Sequence, residues 1–357
     1  MEQEKTADAP QGPDEALSII FMIGDGMGIP QVSTAYYFGE ETPNFSRFNH
    51  IGLQQTSDKT HRITDSAAGA TAFSIGEKTY KRAIGVAEDS LPRETIMERL
   101  QKDGYQSGLI SPTTITHATP ASFYAHVPDR DQHEDIASQL IGSKVDFIAG
   151  GGKRYFNKRS DGQDLFKALE DENYHLDTLE LSKPVLDKRN AYILEPEGIP
   201  SKIEGRGDFL GDATQLALDY FDQKDAPFFL MVEGSYIDWG GHAENAEMLV
   251  AEVLDFDRTL GVALDYIEKN PNTLLVVTAD HETGGVSIGK YYEQGKDGKR
   301  REVPDRVAVN FNTDQHSGEL IPVFAAGKGA EHFQGIYQNS DIHHKMIEAL
   351  GQKTPAP

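Results

Sequence analysis

Short apolar runs recur along the chain, each closed by turn residues: 17–23, 108–111, 146–149, 228–232, 273–278 and 321–325. Continuous runs of this length predict strands buried on both faces of a sheet. Between them lie amphipathic stretches at 67–75, 95–102, 165–172, 211–221 and 244–269. Their alternation with the runs predicts an α/β fold, a parallel or mixed sheet with helices on both faces. Two segments break the rhythm: 153–207, with scattered charges and prolines, and 284–315, whose KDGKRRE at 296–302 reads as a surface excursion. Both are expected to be small surface insertions in a single domain spanning 17–350. A flexible polar leader at 1–16 and a flexible tail at 351–357 flank that domain. The leader has neither a basic start nor an apolar stretch, so it is not an intact signal peptide.

Composition narrows the function classes. Apolar residues make up 38% of 357 and glycine adds 34 more, an ordinary globular share. No apolar run approaches the ~18–20 residues that cross a bilayer, so no membrane span is expected. Lys and Arg number 34 against 57 Asp and Glu, a net charge of −23 that argues against nucleic acid as a partner. Cysteine is absent, which removes disulfides, thiolate metal sites and cysteine nucleophiles together. Any metal must be held by His, Asp and Glu.

In an open α/β sheet, ligands bind beyond the carboxyl ends of the strands. The residues just after each run are therefore the place to seek chemistry. The first run leads into GDGMG with Asp25; the run at 228–232 leads into EGSYIDWGGH with Glu233, Asp238 and His242; the run at 273–278 leads into ADHETGG with Asp280 and His281. The run at 108–111 is followed by PTTITHATPASFYAHVPDR, which offers His117, Thr119 and Arg130, and His316 precedes the run at 321–325. Singly these are weak signals: DGMG suits a turn, and a lone histidine is more often a satisfied surface residue. Asp238 and His242 could share a helical face, although the Gly240–Gly241 pair suits a tight loop equally. Together, Asp25, Glu233, Asp238 and Asp280 with His242, His281 and His316, four carboxylates and three imidazoles, exceed what one zinc needs, so a cluster of at least two metals is the economical reading. Two divalent ions would suit phosphoryl transfer.

Thr64-Asp65-Ser66-Ala67-Ala68-Gly69-Ala70-Thr71-Ala72 supplies a candidate nucleophile. The small residues start a helix well and would set Ser66 at its N-terminus, where backbone N–H groups favour an anion. Alternatively, Ser66 or Asp65 is simply the helix cap. No Gly-x-Ser-x-Gly elbow surrounds Ser66, so a metal rather than a histidine base would activate it.

With these motifs in place, the chain resembles the alkaline phosphatases. The resemblance rests on GDGMG at 24–28, TDSAAGATA at 64–72, HATPASFYAHVPDR at 117–130, VEGSYIDWGGHAEN at 232–245, TADHETGG at 278–285 and QHSGE at 315–319, in family order. It implies a large α/β fold around a mostly parallel sheet, commonly in a homodimer. It also implies hydrolysis of phosphate monoesters to alcohol and inorganic phosphate, with an alkaline pH optimum. By resemblance Ser66 becomes phosphorylated and Arg130 grips two phosphate oxygens. Asp238, His242 and His316 match the ligands of one Zn2+. Asp25, Asp280 and His281 match those of a second Zn2+, joined by the Ser66 oxygen. Glu233 and Thr119 match the ligands of one Mg2+, with Asp25 bridging toward it.

Two departures stand out. His117 and Trp239, placed with the substrate-binding residues, stand where some bacterial members carry Asp and Lys. The short interval from Glu282 to Gln315 leaves no room for a large accessory crown. The competing readings are a diesterase or phosphomutase of the same metal-dependent superfamily, or a zinc- or phosphate-binding protein without turnover. A broad monoesterase would be harmful among cytosolic metabolites, so a periplasmic or secreted location is expected.

Overall fold

The computed structural model describes residues 16–352. The leader and tail expected from the sequence therefore lie, apart from Ala16, Gly351 and Gln352, outside the described residues. In chain order the strands are β1 Ser18–Gly24, β2 His50–Gln55, β3 Gln106–Thr114, β4 Phe147–Gly151, β5 Tyr174–Asp177, β6 Arg189–Ile193 and β7 Phe228–Gly234. They continue with β8 Thr273–Thr278, β9 Glu282–Thr283, β10 Ser287–Gln294, β11 Arg300–Asn310, β12 His316–Ser317, β13 Ile321–Gly327 and β14 Gly335–Gln338. Ten of them form one sheet in the order β14-β2-β13-β8-β1-β7-β3-β4-β6-β5. From β8 to β5 every neighbouring pair is parallel, and β13 alone runs antiparallel to both its neighbours.

Every residue of β1, β7 and β8 is buried, as their unbroken apolar runs require. Side chains of β1 alternate between two cores. Ile19, Phe21 and Ile23 pack with Phe73, Ile96, Ile136 and Met346 from helices on one face. Ile20 and Met22 pack with Val32, Leu218, Leu249 and Val253 on the other. Burying each such side chain stabilises the fold by roughly 1.5–3 kcal/mol.

The helices Ser66–Ile75, Ile96–Lys102, Leu165–Asp171, Phe209–Phe221 and Ala246–Lys269 occupy the amphipathic stretches read from the sequence. Thr95 caps the second with a reciprocal bond to Glu98, and Asn245 caps the last through the Met248 N–H. The segment 153–207 departs from its expectation as a surface insertion. It supplies β5 and β6, which extend the central sheet at one end. β5 carries charged and polar residues and no apolar run, and the short apolar stretch of β6 at 191–194 stands among charges and a proline. The segment 284–315 contains β10 and β11, a hairpin paired separately from the central sheet.

β13 explains how a residue preceding a strand can face residues that come after strands. Because it is antiparallel to β8, its first residues lie beside the end of β8, with Phe324 opposite Val277 and Gly327 opposite Leu274. His316 and the Asp280–His281 pair are thus delivered to the same edge, and β12 pairs His316 directly with Thr283 of β9.

Candidate active site

Asp25 follows β1, Glu233 lies near the end of β7, and Asp280 and His281 follow β8. All four are fully buried. Asp238 and His242 lie on the short helix Tyr236–His242, four residues apart and 3.4 Å from each other, which resolves the helix-or-loop alternative in favour of the helix. Among the described residues, ligand atoms fall within 4.8 Å of one another in three groups: Asp238, His242 and His316; Asp25, Asp280 and His281; Asp25, His117 and Glu233. The first two coincide with the triads expected by resemblance. The third joins His117 to Glu233 and Asp25.

The histidine tautomers are set by their surroundings. His242 Nδ1 lies 2.6 Å from the Asp314 carbonyl and His316 Nδ1 lies 2.9 Å from the Thr64 carbonyl. A carbonyl only accepts, so both Nδ1 atoms carry a proton and both rings turn Nε2 toward the other ligands. Those two Nε2 atoms are 3.1 Å apart, with Asp238 Oδ1 3.4 and 3.7 Å away. Two ring nitrogens and a carboxylate oxygen so placed converge on one point, where a proton or a metal cation can be shared. Both oxygens of Asp25, Asp280 Oδ2, Glu233 Oε1, Thr119 Oγ1 and His117 Nδ1 are buried and lack a hydrogen-bond partner among the described residues. Burial first, then Asp280, Asp238 and Glu233, pushes the Asp25 carboxyl well above its usual range. Burial raises Glu233 to about 7 despite the Ser111 hydroxyl, and burial with Asp238 raises Asp280 to about 6. Orphaned donors and crowded carboxylates of this kind fit divalent cations, oxygen ligands suiting magnesium and the imidazole-carboxylate sets suiting zinc.

Ser66 is the first residue of the buried helix Ser66–Ile75, and Asp65 is its cap, accepting from the Ala68 N–H. Ser66 Oγ lies 3.2 Å from His281 Nε2. The helix comes this close because it is built of small residues: a Cβ on Gly69 would stand 3.0 Å from Asp280 Cβ. Arg130 reaches over the same cap, with Nη1 3.1 Å from Asp65 Oδ2 and Nη2 3.4 Å from His117 Nε2. Burial followed by the Arg130 charge drives His117 down to about 3, so its ring is neutral. Trp239 is 44% exposed and meets Tyr236 edge-on at 4.9 Å.

Sequence reasoning offered Asp65 only as a helix cap and did not single out the other supports of this site. Asp65 both caps the Ser66 helix and pairs with Arg130. Ser111, Thr113 and Ser235 form a hydroxyl cluster whose Ser111 Oγ donates to Glu233 Oε2 at 2.6 Å. Thr283 stands between Asp238 and His281. Asp65 and Thr283 sit inside the motifs already marked, but their pairing depends on distant loops.

The family model for alkaline phosphatase matches residues 16–299 and 292–352. The chain belongs to the alkaline phosphatase family. Alkaline phosphatase 3 of Bacillus subtilis is 31% identical, over 94% of this chain and 89% of that protein. Alkaline phosphatase of Escherichia coli is 27% identical over 95% and 87%. Among solved structures, alkaline phosphatase from the Antarctic bacterium TAB5 superposes with a TM-score of 0.91 at 42% identity, covering 95% of this chain and 99% of that one. A variant of it with a histidine replaced by aspartate, and magnesium bound in its M3 site, gives 0.92 with the same identity and coverage. As a member of this family the chain is an enzyme, a phosphoric monoester hydrolase. No helix among the described residues is long and apolar enough to cross a membrane.

Proposed function

We propose that the enzyme hydrolyses phosphate monoesters in two displacements at Ser66, with a phosphoserine between them. The observation that carries this reading is the placement of Ser66 Oγ. It lies at a buried helix N-terminus, 3.2 Å from His281, in a site where carboxylate oxygens of Asp25 and Asp280 lack a hydrogen-bond partner among the described residues. Asp238, His242 and His316 would hold one zinc, and Asp25, Asp280 and His281 a second. Glu233, Thr119 and Asp25 would hold a magnesium. Bound there, divalent ions would supply positive charge for the entering and departing oxygens of in-line phosphoryl transfer.

The chain's own residues do the rest. Arg130 presents its planar fork to two phosphoryl oxygens. Ser66 Oγ forms the new O–P bond as the alcohol departs with its electron pair. Water then attacks the phosphoserine from the side the alcohol left, returning Ser66 and releasing inorganic phosphate. The N–H groups opening the Ser66–Ile75 helix face the transferred group. Neutral His117 and exposed Trp239 border it and are proposed to contact substrate.

With this reading go an alkaline rate maximum, zinc and magnesium as cofactors, a homodimer by family resemblance, and action outside the cytoplasm, where a broad monoesterase spares metabolites. The catalytic unit is proposed to be a single domain over 17–350.

Partitioning between water and an added alcohol tests the mechanism. If one phosphoserine is common to all substrates, the ratio of inorganic phosphate to transferred phosphate is the same for p-nitrophenyl phosphate and for alkyl phosphates. A ratio that changes with the leaving group contradicts the two-step reading.

A further inference from the structure

Thr283 lies at the crossing of every loop that brings a ligand to the two triads. Its backbone N–H donates to the Gly26 carbonyl beside Asp25 at 3.1 Å. It pairs with His316 across the β9–β12 ladder. Its hydroxyl lies 2.5 Å from Asp238 Oδ1 and 3.1 Å from His281 Nδ1. Two glycines make room for it. A Cβ on Gly26, which has φ +72, would stand 2.8 Å from Thr283 Oγ1, and a Cβ on Gly241 would stand 2.8 Å from Thr283 Cγ2.

The direction of these bonds is fixed by valence. A carboxylate only accepts, so the Thr283 proton goes to Asp238 Oδ1. The hydroxyl oxygen is then left to accept from His281 Nδ1–H. His281 is thereby held as the Nδ1–H tautomer, with the Nε2 lone pair facing Ser66, Asp25 and Asp280. His242 and His316 obtain the same tautomer from backbone carbonyls. Of the three, only His281 depends on a side chain. That same side chain grips a carboxylate of the other triad.

We propose that Thr283 is a positioning residue that couples the two metal triads: one hydroxyl orients Asp238 for the first and sets the His281 tautomer for the second. The proposal rests on the reading of those triads as zinc sites. Partners that orient metal ligands in this way typically account for about 10–100-fold in metal affinity.

The test compares wild type with Thr283→Val, which keeps the shape and loses the hydroxyl, and Thr283→Ser, which keeps the hydroxyl. Zinc affinity is measured by competition with a chromophoric chelator. The His281 tautomer is read from 15N chemical shifts of metal-stripped protein. Thr283→Val should weaken zinc at both triads by about 10–100-fold and populate the Nε2–H tautomer of His281, while Thr283→Ser restores both. If Thr283→Val does not fold, Thr283→Ala takes its place against Thr283→Ser. Wild-type zinc affinity retained in Thr283→Val overturns the coupling, as does loss at one triad only. If wild type takes up no zinc, the metal reading falls by itself; an unchanged His281 tautomer in Thr283→Val then overturns the positioning role as well.

Discussion

Asp65 holds Arg130 at 3.1 Å while its other carboxyl oxygen caps the helix that begins at Ser66. One side chain therefore ties the guanidinium to the proposed nucleophile. Burial opposes ionisation of Asp65, but Arg130 and the N–H groups of Arg82 and Ala68 outweigh it, so the carboxyl titrates below its usual range. Losing the cap in Asp65→Ala should cost about 1 kcal/mol of stability, read by urea denaturation. It should also raise the KM for p-nitrophenyl phosphate, because Arg130 is no longer held. A normal KM beside the lost stability would restrict Asp65 to capping.

Arg130 makes the monoester preference testable. A hydrogen bond to a charged group contributes roughly 1.5–3 kcal/mol, so Arg130→Ala should lower kcat/KM for monoesters by about 10–100-fold. Diesters offer one fewer anionic oxygen and should lose less. Arg130→Lys keeps the charge without the fork and should recover only part. Equal losses for monoesters and diesters would remove Arg130 from the phosphoryl clamp.

Glu233 and Asp280 predict how metal-stripped protein responds to pH. In the folded chain their carboxyls titrate near about 7 and about 6, above the values of 4.5 and 3.8 for unperturbed groups. Between those limits the folded state binds more protons than the unfolded state, so stability falls as pH rises from about 4 to about 7. Chelated protein should lose thermal stability across that range, and added zinc and magnesium should remove the slope. A melting temperature that rises over the same range without metal would show that these carboxyls are not crowded.

His117 sets the third group of ligands apart. A neutral imidazole beside Glu233 and Asp25 gives one negative charge fewer than a carboxylate there, which disfavours magnesium. His117→Asp should lower the magnesium concentration for half-activation at fixed zinc, and Glu233→Gln should raise it. Three identical midpoints would exclude both residues from that site.

Much of this arrangement was legible in the sequence because it repeats one rule: strands buried on both faces are unbroken apolar runs, and chemistry collects at their carboxyl ends. β1, β7 and β8 obey it, and they place Asp25, Glu233, Asp280 and His281. The edge-side strands β2 and β14 hid because half or more of their residues are not fully buried and they carry no apolar run. β5 and β6 hid among charges and prolines. The antiparallel course of β13 was equally invisible, since a buried apolar run has no direction. His316 was nonetheless found, through its motif. The supporting contacts, Asp65 with Arg130 and Thr283 with Asp238, join residues far apart in sequence and emerge only from the folded chain.

The phosphoserine is the centre of the account, and acid quenching measures it most directly. Enzyme turning over a phosphate monoester labelled at phosphorus is stopped in acid, digested and mapped. The account predicts label on the peptide containing Ser66, at Ser66 alone, and none in Ser66→Ala although that variant still takes up zinc. Label on any other residue, or label retained in Ser66→Ala, would contradict it.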